Sequence, residues 1–226
     1  MPGKRRRLNS RPGDKMMGIV RKRRVQTDGA KALAMVRKLA RQVEHKQVTK
    51  GSTLTTDSQV IHLNGVAEGT DGDERVGDRI SGEKLKVRAA IEHRADNAGA
   101  VVPTQPLYVH IAVVQDLQQA ADNVPTWSFI WTGTAQGGVY QNKLREAKYK
   151  VLRSKRVLIN TISDAFAPST LVDWNINLKG LDMRFNGANA GDQQGNGIYL
   201  TYKFESAETG AAPQTVWTST LDYTDM

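Results

Sequence analysis

The chain has 226 residues, which suits one domain with an appendage, and its 32 Lys and Arg against 23 Asp and Glu give a formal net charge of +9. It contains no cysteine, which excludes disulfides, cysteine-based zinc sites and thiol catalysis. No apolar stretch approaches the roughly 18 residues of a membrane-spanning helix, and no apolar run follows the basic start, so we expect neither a membrane partner nor a secretory signal.

Charge is distributed unevenly along the chain. Residues 1–50 contain sixteen Lys and Arg and three acidic residues, a net of +13. Residues 51–226 contain sixteen basic and twenty acidic residues, a net of −4. A basic segment joined to a mildly acidic body indicates a polyanionic partner.

Residues 1–27 form a predicted basic arm. Clusters of Lys and Arg at 4–7 and 21–24 flank a stretch that contains Pro12 and Gly13. The segment has too little apolar surface to offset its conformational entropy, so we predict that it is disordered when free. Because no Phe, Trp or Tyr precedes Tyr108, stacking on bases is limited to Arg planes, and phosphate neutralisation is the chemistry that remains.

The predicted nucleic-acid-binding residues all lie in this arm and the segment after it. They are Lys4, Arg5, Arg6, Arg7, Arg11, Lys15, Arg21, Lys22, Arg23, Arg24, Lys31, Arg37, Lys38 and Arg41. A solvated tail or a nuclear import signal alone are the alternatives, but +13 in fifty residues exceeds what either needs. Binding and import are compatible, because the paired clusters resemble a loose bipartite import signal, with a host import receptor as partner.

Residues 28–50 are predicted to be a short basic amphipathic helix followed by a linker. Asp28 is a plausible N-cap, and apolar residues recur at helical spacing from Leu33 to Val43, with cations on the remaining surface. The apolar stripe predicts docking on the body or on another subunit. A membrane-surface role is disfavoured because the segment has no Trp or Phe to anchor it.

Residues 51–226 are predicted to form an all-β body. Alternation of apolar and polar residues at 84–92 and 198–205 places Leu85, Val87, Ala89 and Ile91 inside the first strand, and the matching apolar set inside the second. The apolar phase of 174–185 flips at Gly180, which predicts a bulge or bend.

Further candidate strands bring the predicted total to about eight. They are 58–66, 106–115, 148–160 and 215–223, with a shorter one at 127–133. Eight antiparallel strands with long crossing loops are the jelly-roll arrangement, and a body of this length suits a single sandwich.

No catalytic, metal or cofactor site stands out. The four histidines (His45, His62, His93 and His110) lack ligand spacing, and neither a nucleophile elbow nor a phosphate-binding Walker loop occurs. The acidic segment with Glu68, Asp71, Asp73, Glu74 and Asp78 lacks EF-hand spacing and is predicted to be a solvated loop. The Gly-rich residues 133–138 predict a turn. We therefore expect no enzyme, no metal and no cofactor.

Four segments of the body resemble capsid proteins of small circular single-stranded DNA viruses that encode a Rep protein, the circovirus-like group. Residues 149–158 (YKVLRSKRVL) resemble that family's FKVLYDK-x-F-x-L strand, and residues 77–85 (GDRISGEKL) resemble its G-D-x-I-x-G-x-K-I motif. Residues 174–179 resemble its late-middle strand, and residues 220–225 its R-L-x-F-x-D ending. The four segments occur in the family's order.

The resemblance implies a structural protein without enzymatic activity that assembles into a small icosahedral shell, the sixty-copy T=1 form being the simplest. It implies that the arm packages single-stranded DNA, that the protein resides in the virion, and that assembly takes place in the host nucleus. A capsid protein of a small or satellite single-stranded RNA virus is the first alternative. A cellular nucleic-acid-binding protein with a basic tail is the second, disfavoured because the body has no recognisable reading element.

Overall fold

The computed structural model describes residues 29, 31–33, 35, 44–54, 58–92, 107–118, 124–135, 137–143, 146–159, 170–205 and 214–226. The chain divides into two compact units, residues 1–44 and 45–226. In the first unit the described residues 29, 31–33 and 35 are helical. The remaining residues of the predicted arm and helix lie outside the described part of the chain.

The second unit is a β-sandwich, in agreement with the all-β prediction. Its elements are β1 (His45–Leu54), β2 (Ser58–His62), β3 (Arg79–Glu92), β4 (Leu107–Asp116), α1 (Trp127–Ile130), β5 (Trp131–Thr134), β6 (Gly138–Gln141), β7 (Tyr149–Ile159), β8 (Thr170–Phe185), β9 (Gln193–Gln194), β10 (Gly197–Glu205) and β11 (Gln214–Asp225).

Two antiparallel sheets contain nine of these strands. The first sheet has the order β1-β11-β3-β8-β9, and the second has the order β2-β10-β4-β7. The core lies between them, where buried residues such as Leu85 of β3 and Leu221 of β11 pack in one cluster with Ile111 of β4 and Leu200 of β10. Burial of apolar surface on both inner faces is what holds the two sheets together.

The alternation in the sequence correctly gave the buried face of each long strand. Leu85, Val87, Ala89 and Ile91 are all almost fully buried, and so is the apolar set of β10. Their neighbours on β3 point to the other side, where Lys86 is half-buried and Arg88 is exposed. In β3, a period of two residues in the sequence therefore corresponds to one buried face and one partly exposed face of the sheet.

The predicted break at Gly180 is a β-bulge. Gly82 of β3 pairs with Leu181, and Lys84 pairs with Asn177, so one residue of β3 faces three of β8. Lys179 and Gly180 adopt the left-handed conformation, with φ of 53° and 74°, and the Lys179 amide donates to Asn177 Oδ1 at 2.9 Å. The extra residues move Leu181 and Met183 back onto the core side.

The strand count differs from the prediction, because the described part of the chain has eleven strands where eight were expected. The three strands without a predicted counterpart are β1 and the short strands β6 and β9. β6 pairs with β5 in a separate two-stranded sheet. A single strand was expected at 127–133, but Trp127–Ile130 forms one helical turn before the hairpin begins. Of the Gly-rich residues 133–138, the described ones, 133–135, 137 and 138, lie in the hairpin, where a turn was predicted.

The α1 turn and the hairpin cover the outer face of the second sheet. Trp127, Ile130 and Trp131 pack there against Ala112 and Val114 of β4 in a second apolar cluster. The indole nitrogen of Trp131 also donates to Thr201 Oγ1 of β10 at 3.0 Å. The second sheet is therefore buried on both faces over this area.

The first strand begins earlier than the sequence indicated. β1 starts at His45 and pairs along its whole length with β11, six residues before the expected start of the body at residue 51. Its second residue, Lys46, is buried and forms an ion pair with Asp225 near the C-terminus, with Nζ and Oδ2 3.1 Å apart. Lys46 and Lys50 thus belong to the sandwich.

Candidate nucleic-acid interface

Of the predicted nucleic-acid-binding residues, only Lys31 lies in the described part of the chain. It is helical and exposed. All the others lie outside the described residues, so their role stays a prediction. Apart from Lys31, the cations in the described part of the chain belong to the sandwich.

Most cations of the first sheet are matched by acidic side chains. Arg88 Nε lies 3.0 Å from Asp173 Oδ2, and Arg79 Nη2 lies 2.9 Å from Asp182 Oδ2. Lys86 Nζ lies 3.9 Å from a carboxylate oxygen of Asp222. These exposed pairs neutralise one another locally, and each contributes little to stability.

Strand β7 differs, because its sequence YKVLRSKRVLI contains four cations and no acidic residue. Lys150, Arg153 and Lys155 are exposed, and within the described chain none of the three forms an ion pair. Among the described residues, β7 is the terminal strand of the second sheet, and β4 is the strand it pairs with. The outer edge of β7 therefore has backbone N–H and C=O groups that form no hydrogen bonds within this sheet. The same edge carries local positive charge.

The strand register shows that cations flank this edge on both faces of the sheet. Arg153 pairs with Val113, and Lys155 pairs with Ile111, both of which face the core. Arg156 pairs with His110 on the opposite, outer face. We call the four residues Lys150, Arg153, Lys155 and Arg156 the basic edge.

Arg156 is held in a fixed orientation. Its Nε donates to the carbonyl of Ala135 at 2.7 Å, and its guanidinium carbon lies 4.1 Å from the centre of the Tyr108 ring. Stacking on an aromatic ring fixes the plane of a guanidinium and favours its charge. Across the same sheet, Lys203 lies over the Trp127 ring at 4.2 Å, so cations and aromatic rings alternate on this face.

His110 and His62 are neutral elements of the sandwich. Burial lowers the pKa of His110 to about 4, and its Nε2 lies 3.0 Å from Ser154 Oγ. Burial, and then the charge of Lys50, lower the pKa of His62 to about 4, and its Nε2 lies 2.8 Å from Gln193 Oε1. Within the described residues, no group of three or more His, Asp or Glu side chains is arranged to hold a metal ion.

The acidic loop is organised around a buried arginine. Arg75 is 1% exposed, donates from Nε to Val66 O at 3.1 Å, and also donates to the carbonyls of Gly77 and Gly187. Its guanidinium lies 4.3 Å from the centre of the Phe185 ring. Glu74, one of the five acids, accepts a hydrogen bond from the amide of Asp71 at 3.1 Å.

The basic edge is a feature that the sequence analysis did not single out as a binding surface. The sequence predicted a strand at 148–160 and a family resemblance at 149–158, and the four cations of Tyr149–Ile159, with no acid among them, were visible there. What the sequence could not give is the position of β7 at the end of a sheet, because strand order depends on contacts distant in the chain. No helix in the described ranges is long and apolar enough to cross a membrane.

Comparisons with known proteins show no family model that matches the chain and no match among curated proteins. Among solved structures, the chain is similar to Desmodium yellow mottle tymovirus, with 11% identity over 81% of each chain and a TM-score of 0.35. It is also similar to the infectious bursal disease virus VP2 subviral particle, with 10% identity over 80% of this chain and 30% of that one and a TM-score of 0.22. Neither TM-score reaches 0.5, so the function has to be inferred from the residues and the topology.

Proposed function

We propose that the chain is a structural viral capsid protein of the circovirus-like type, without enzymatic activity, and that its arm packages single-stranded DNA. The order of the long strands carries this proposal. Without the short strands β5, β6 and β9, the eight remaining strands numbered along the chain have the orders 1-8-3-6 and 2-7-4-5. That pairing is the double Greek key of a jelly roll, an architecture that viral capsid proteins use, as do lectins and cupins.

The basic arm favours a capsid over the other users of this fold. Lectins and cupins need a sugar or metal site on the sandwich, whereas a packaging protein needs charge to neutralise phosphates. Residues 1–44 contain fourteen Lys and Arg and three acidic residues, a net of +11. A large charge attached to a nearly neutral sandwich suits a shell protein that collects its genome as it assembles.

We infer a closed shell of sixty equivalent copies as the assembly, with the virion as its location and the host nucleus as the place of assembly. One plain sandwich per subunit supports the smallest icosahedral arrangement, in which every subunit has the same contacts. The paired basic clusters at 4–7 and 21–24 support passage through an import receptor.

Electron microscopy of the purified full-length protein tests the assembly. Uniform closed particles are expected, and a protein that binds nucleic acid without forming closed shells would support the cellular alternative. Nuclease digestion of nucleic acid extracted from the particles tests the genome type. Sensitivity to DNase with resistance to RNase is expected, and the reverse pattern would support a small RNA virus.

A further inference from the structure

We propose that residues 124–142, which we call the neutral cap, form a contact between two copies of this chain across a two-fold axis that brings their Tyr140 side chains together. The inference rests on the proposed shell and adds a named contact to it, since a closed icosahedral shell contains two-fold axes. The neutral cap consists of α1, the β5–β6 hairpin and the residues next to them. It lies on the outer face of the second sheet.

The neutral cap is distinguished by its composition. Its sequence is VPTWSFIWTGTAQGGVYQN, nineteen residues without Asp, Glu, Lys or Arg, whereas an ordinary domain has about one charged residue in four. Cations from neighbouring strands lie at its margin. Lys203 is 4.2 Å from the centre of the Trp127 ring, and Arg156 donates to the carbonyl of Ala135. An uncharged centre with a polar rim is typical of a protein–protein interface.

The absence of charge favours a second copy as the occupant. Near a two-fold axis each residue faces the same residue of the other copy. A charged side chain there would meet its own charge and oppose association, and a surface without charge avoids this repulsion. A nucleic acid would instead need cations within the neutral cap to neutralise its phosphates, and the sequence of the neutral cap contains none.

Tyr140 is the aromatic side chain that the hairpin presents outward. It pairs with Thr132, and because side chains alternate between the faces of a strand, both lie on the face opposite to the buried Trp131. Tyr140 is 65% exposed. Its ring lies over Gly138, where an added Cβ would be 3.2 Å from the hydroxyl oxygen and 3.5 Å from Cζ. A ring held against the backbone loses little freedom on binding, and tyrosine is a frequent anchor of interfaces.

Phe129 extends this surface beyond the hairpin. It is exposed in α1, whose residues Trp127 and Ile130 are buried. The amide of Asn142 donates to the carbonyl of Ile130 at 2.9 Å, which joins α1 to the end of the hairpin. The neutral cap is still smaller than one side of a standard interface, which has about 20–30 residues. The contact is therefore weak on its own and is tested in assembled particles.

A role in covering the second sheet is the competing explanation. It accounts for Trp127, Ile130 and Trp131, which are buried in the apolar cluster on that sheet. It leaves the exposed ring of Tyr140 unexplained, because a face of antiparallel strands that meets water is usually polar. An aromatic ring on an uncharged outer face therefore favours a partner.

Substitutions of opposite charge at one position test the self-contact. Full-length Y140E and Y140K are compared with the wild type, alone and as an equimolar mixture, with the fraction of protein in sedimenting particles as the readout. Each variant alone places two like charges at every two-fold contact, so assembly should fall about tenfold or more. The mixture lets opposite charges meet and should restore most of it. Y140F keeps the ring and should assemble like the wild type.

The matched control places the same charges at Leu171, which is 70% exposed on β8 of the first sheet. L171E and L171K should assemble normally, and circular dichroism checks that all variants are folded. Equal losses at both positions would show a general effect of added charge and overturn the inference. Losses at Tyr140 that mixing does not repair would overturn the self-contact, because the ring would then face another residue. Normal assembly of Y140E and Y140K would overturn it as well, and a lower nucleic-acid content of those particles would then assign Tyr140 to the genome.

Cysteine crosslinking tests how close the two copies are. The chain has no cysteine, so Y140C carries a single thiol, and T132C places one on the same face of the hairpin. Each should give covalent dimers after mild oxidation or with a short bismaleimide, whereas L171C should stay monomeric. Monomers throughout would overturn the contact. If the wild type forms no particles, the proposed shell fails, and dimers of Y140C would still support the contact, so the two failures are distinguishable.

Discussion

The buried His110 and the half-buried His62 make the sandwich sensitive to acid. His62 stacks on Tyr199 with ring centres 5.1 Å apart, and His110 meets Trp131 edge-on at 4.7 Å. Each imidazole has a pKa of about 4 in the folded protein, against about 6.5 in an unfolded chain. Each is therefore neutral when folded at pH 7.

We predict that the free energy of unfolding falls as the pH drops from about 6.5 to 4, because the unfolded chain binds two protons in this window that the folded chain does not. Each histidine contributes on the order of 2–3 kcal/mol to the fall. Urea denaturation at a series of pH values measures it. H62Q and H110Q should each flatten the profile. Profiles of both variants that run parallel to the wild type would refute the explanation.

Arg75 is predicted to fix the acidic loop. R75M removes the donor from the carbonyls of Val66, Gly77 and Gly187, so the free energy of unfolding should fall by about 3 kcal/mol, and residues 66–78 should become sensitive to limited proteolysis. R79M is the matched control, since Arg79 is 46% exposed and pairs with Asp182 at the surface, and its cost should be much smaller than that of R75M. Similar costs for the two variants would contradict the role given to Arg75.

At the scale of single elements, the bulge in β8 offers a test of backbone conformation. Gly180 has a φ of 74°, and a Cβ added there would meet Ser81 Oγ at 3.4 Å. G180A is predicted to lower the free energy of unfolding by about 1–2 kcal/mol, since the left-handed conformation is sterically strained for alanine. The control G72A, where a Cβ has open space and φ is not positive, should be neutral or slightly stabilising. Chemical denaturation of both variants measures the difference.

The sequence predicted the elements whose pattern is local. Strands β3, β8 and β10 follow from alternation, and even the bulge was visible because the apolar phase changes at Gly180. A strand and a turn were predicted at 127–133 and 133–138, but the α1 turn and strand β6 were not, since Trp127 and Trp131 are positioned by contacts with β4 and β10, far away in the chain. β1 was missed because its residues read as a continuation of the basic segment, and only pairing with β11 reveals the strand.

The candidate site likewise has a part that the sequence predicts and a part that it does not. Composition predicts the arm, because net charge needs no knowledge of the fold. The basic edge needs the strand order that places β7 at the end of a sheet, and the Arg156–Tyr108 stack needs the register of β7 against β4. Neither can be derived from the spacing of residues in one segment.

At the scale of the whole molecule, the two units are predicted to have different functions. Deleting residues 1–24 removes ten cations and one acid and leaves the sandwich, whose core is contained in residues 45–226. Particles of the truncated protein should lose most of their nucleic acid, which the ratio of absorbance at 260 and 280 nm measures. A full-length variant with the ten cations changed to Gln controls for arm length and should behave alike. Normal packaging by either protein would contradict the role of the arm.

The amount of packaged nucleic acid follows from the charge of the arms. β1 contains Lys46 and Lys50, so the charge of the segment before it is +11. Sixty such segments carry about 660 positive charges. If each offsets one to three phosphates, the packaged strand has about 700–2,000 nucleotides. Gel electrophoresis of the extracted nucleic acid measures its length, and a strand of tens of kilobases would be incompatible with a shell of this size.

Particle diameter gives an independent test of the copy number. A compact unit of the length of residues 45–226 has a radius of gyration of about 16 Å, which corresponds to a sphere of about 20 Å radius. Sixty such units cover a spherical shell with an outer diameter of about 20 nm, and because area grows with copy number, 180 units would need about 30 nm. Electron microscopy of full-length particles separates these diameters easily. A uniform population near 20 nm is expected, and one near 30 nm would exclude the sixty-copy shell while leaving the jelly roll and the arm as they are.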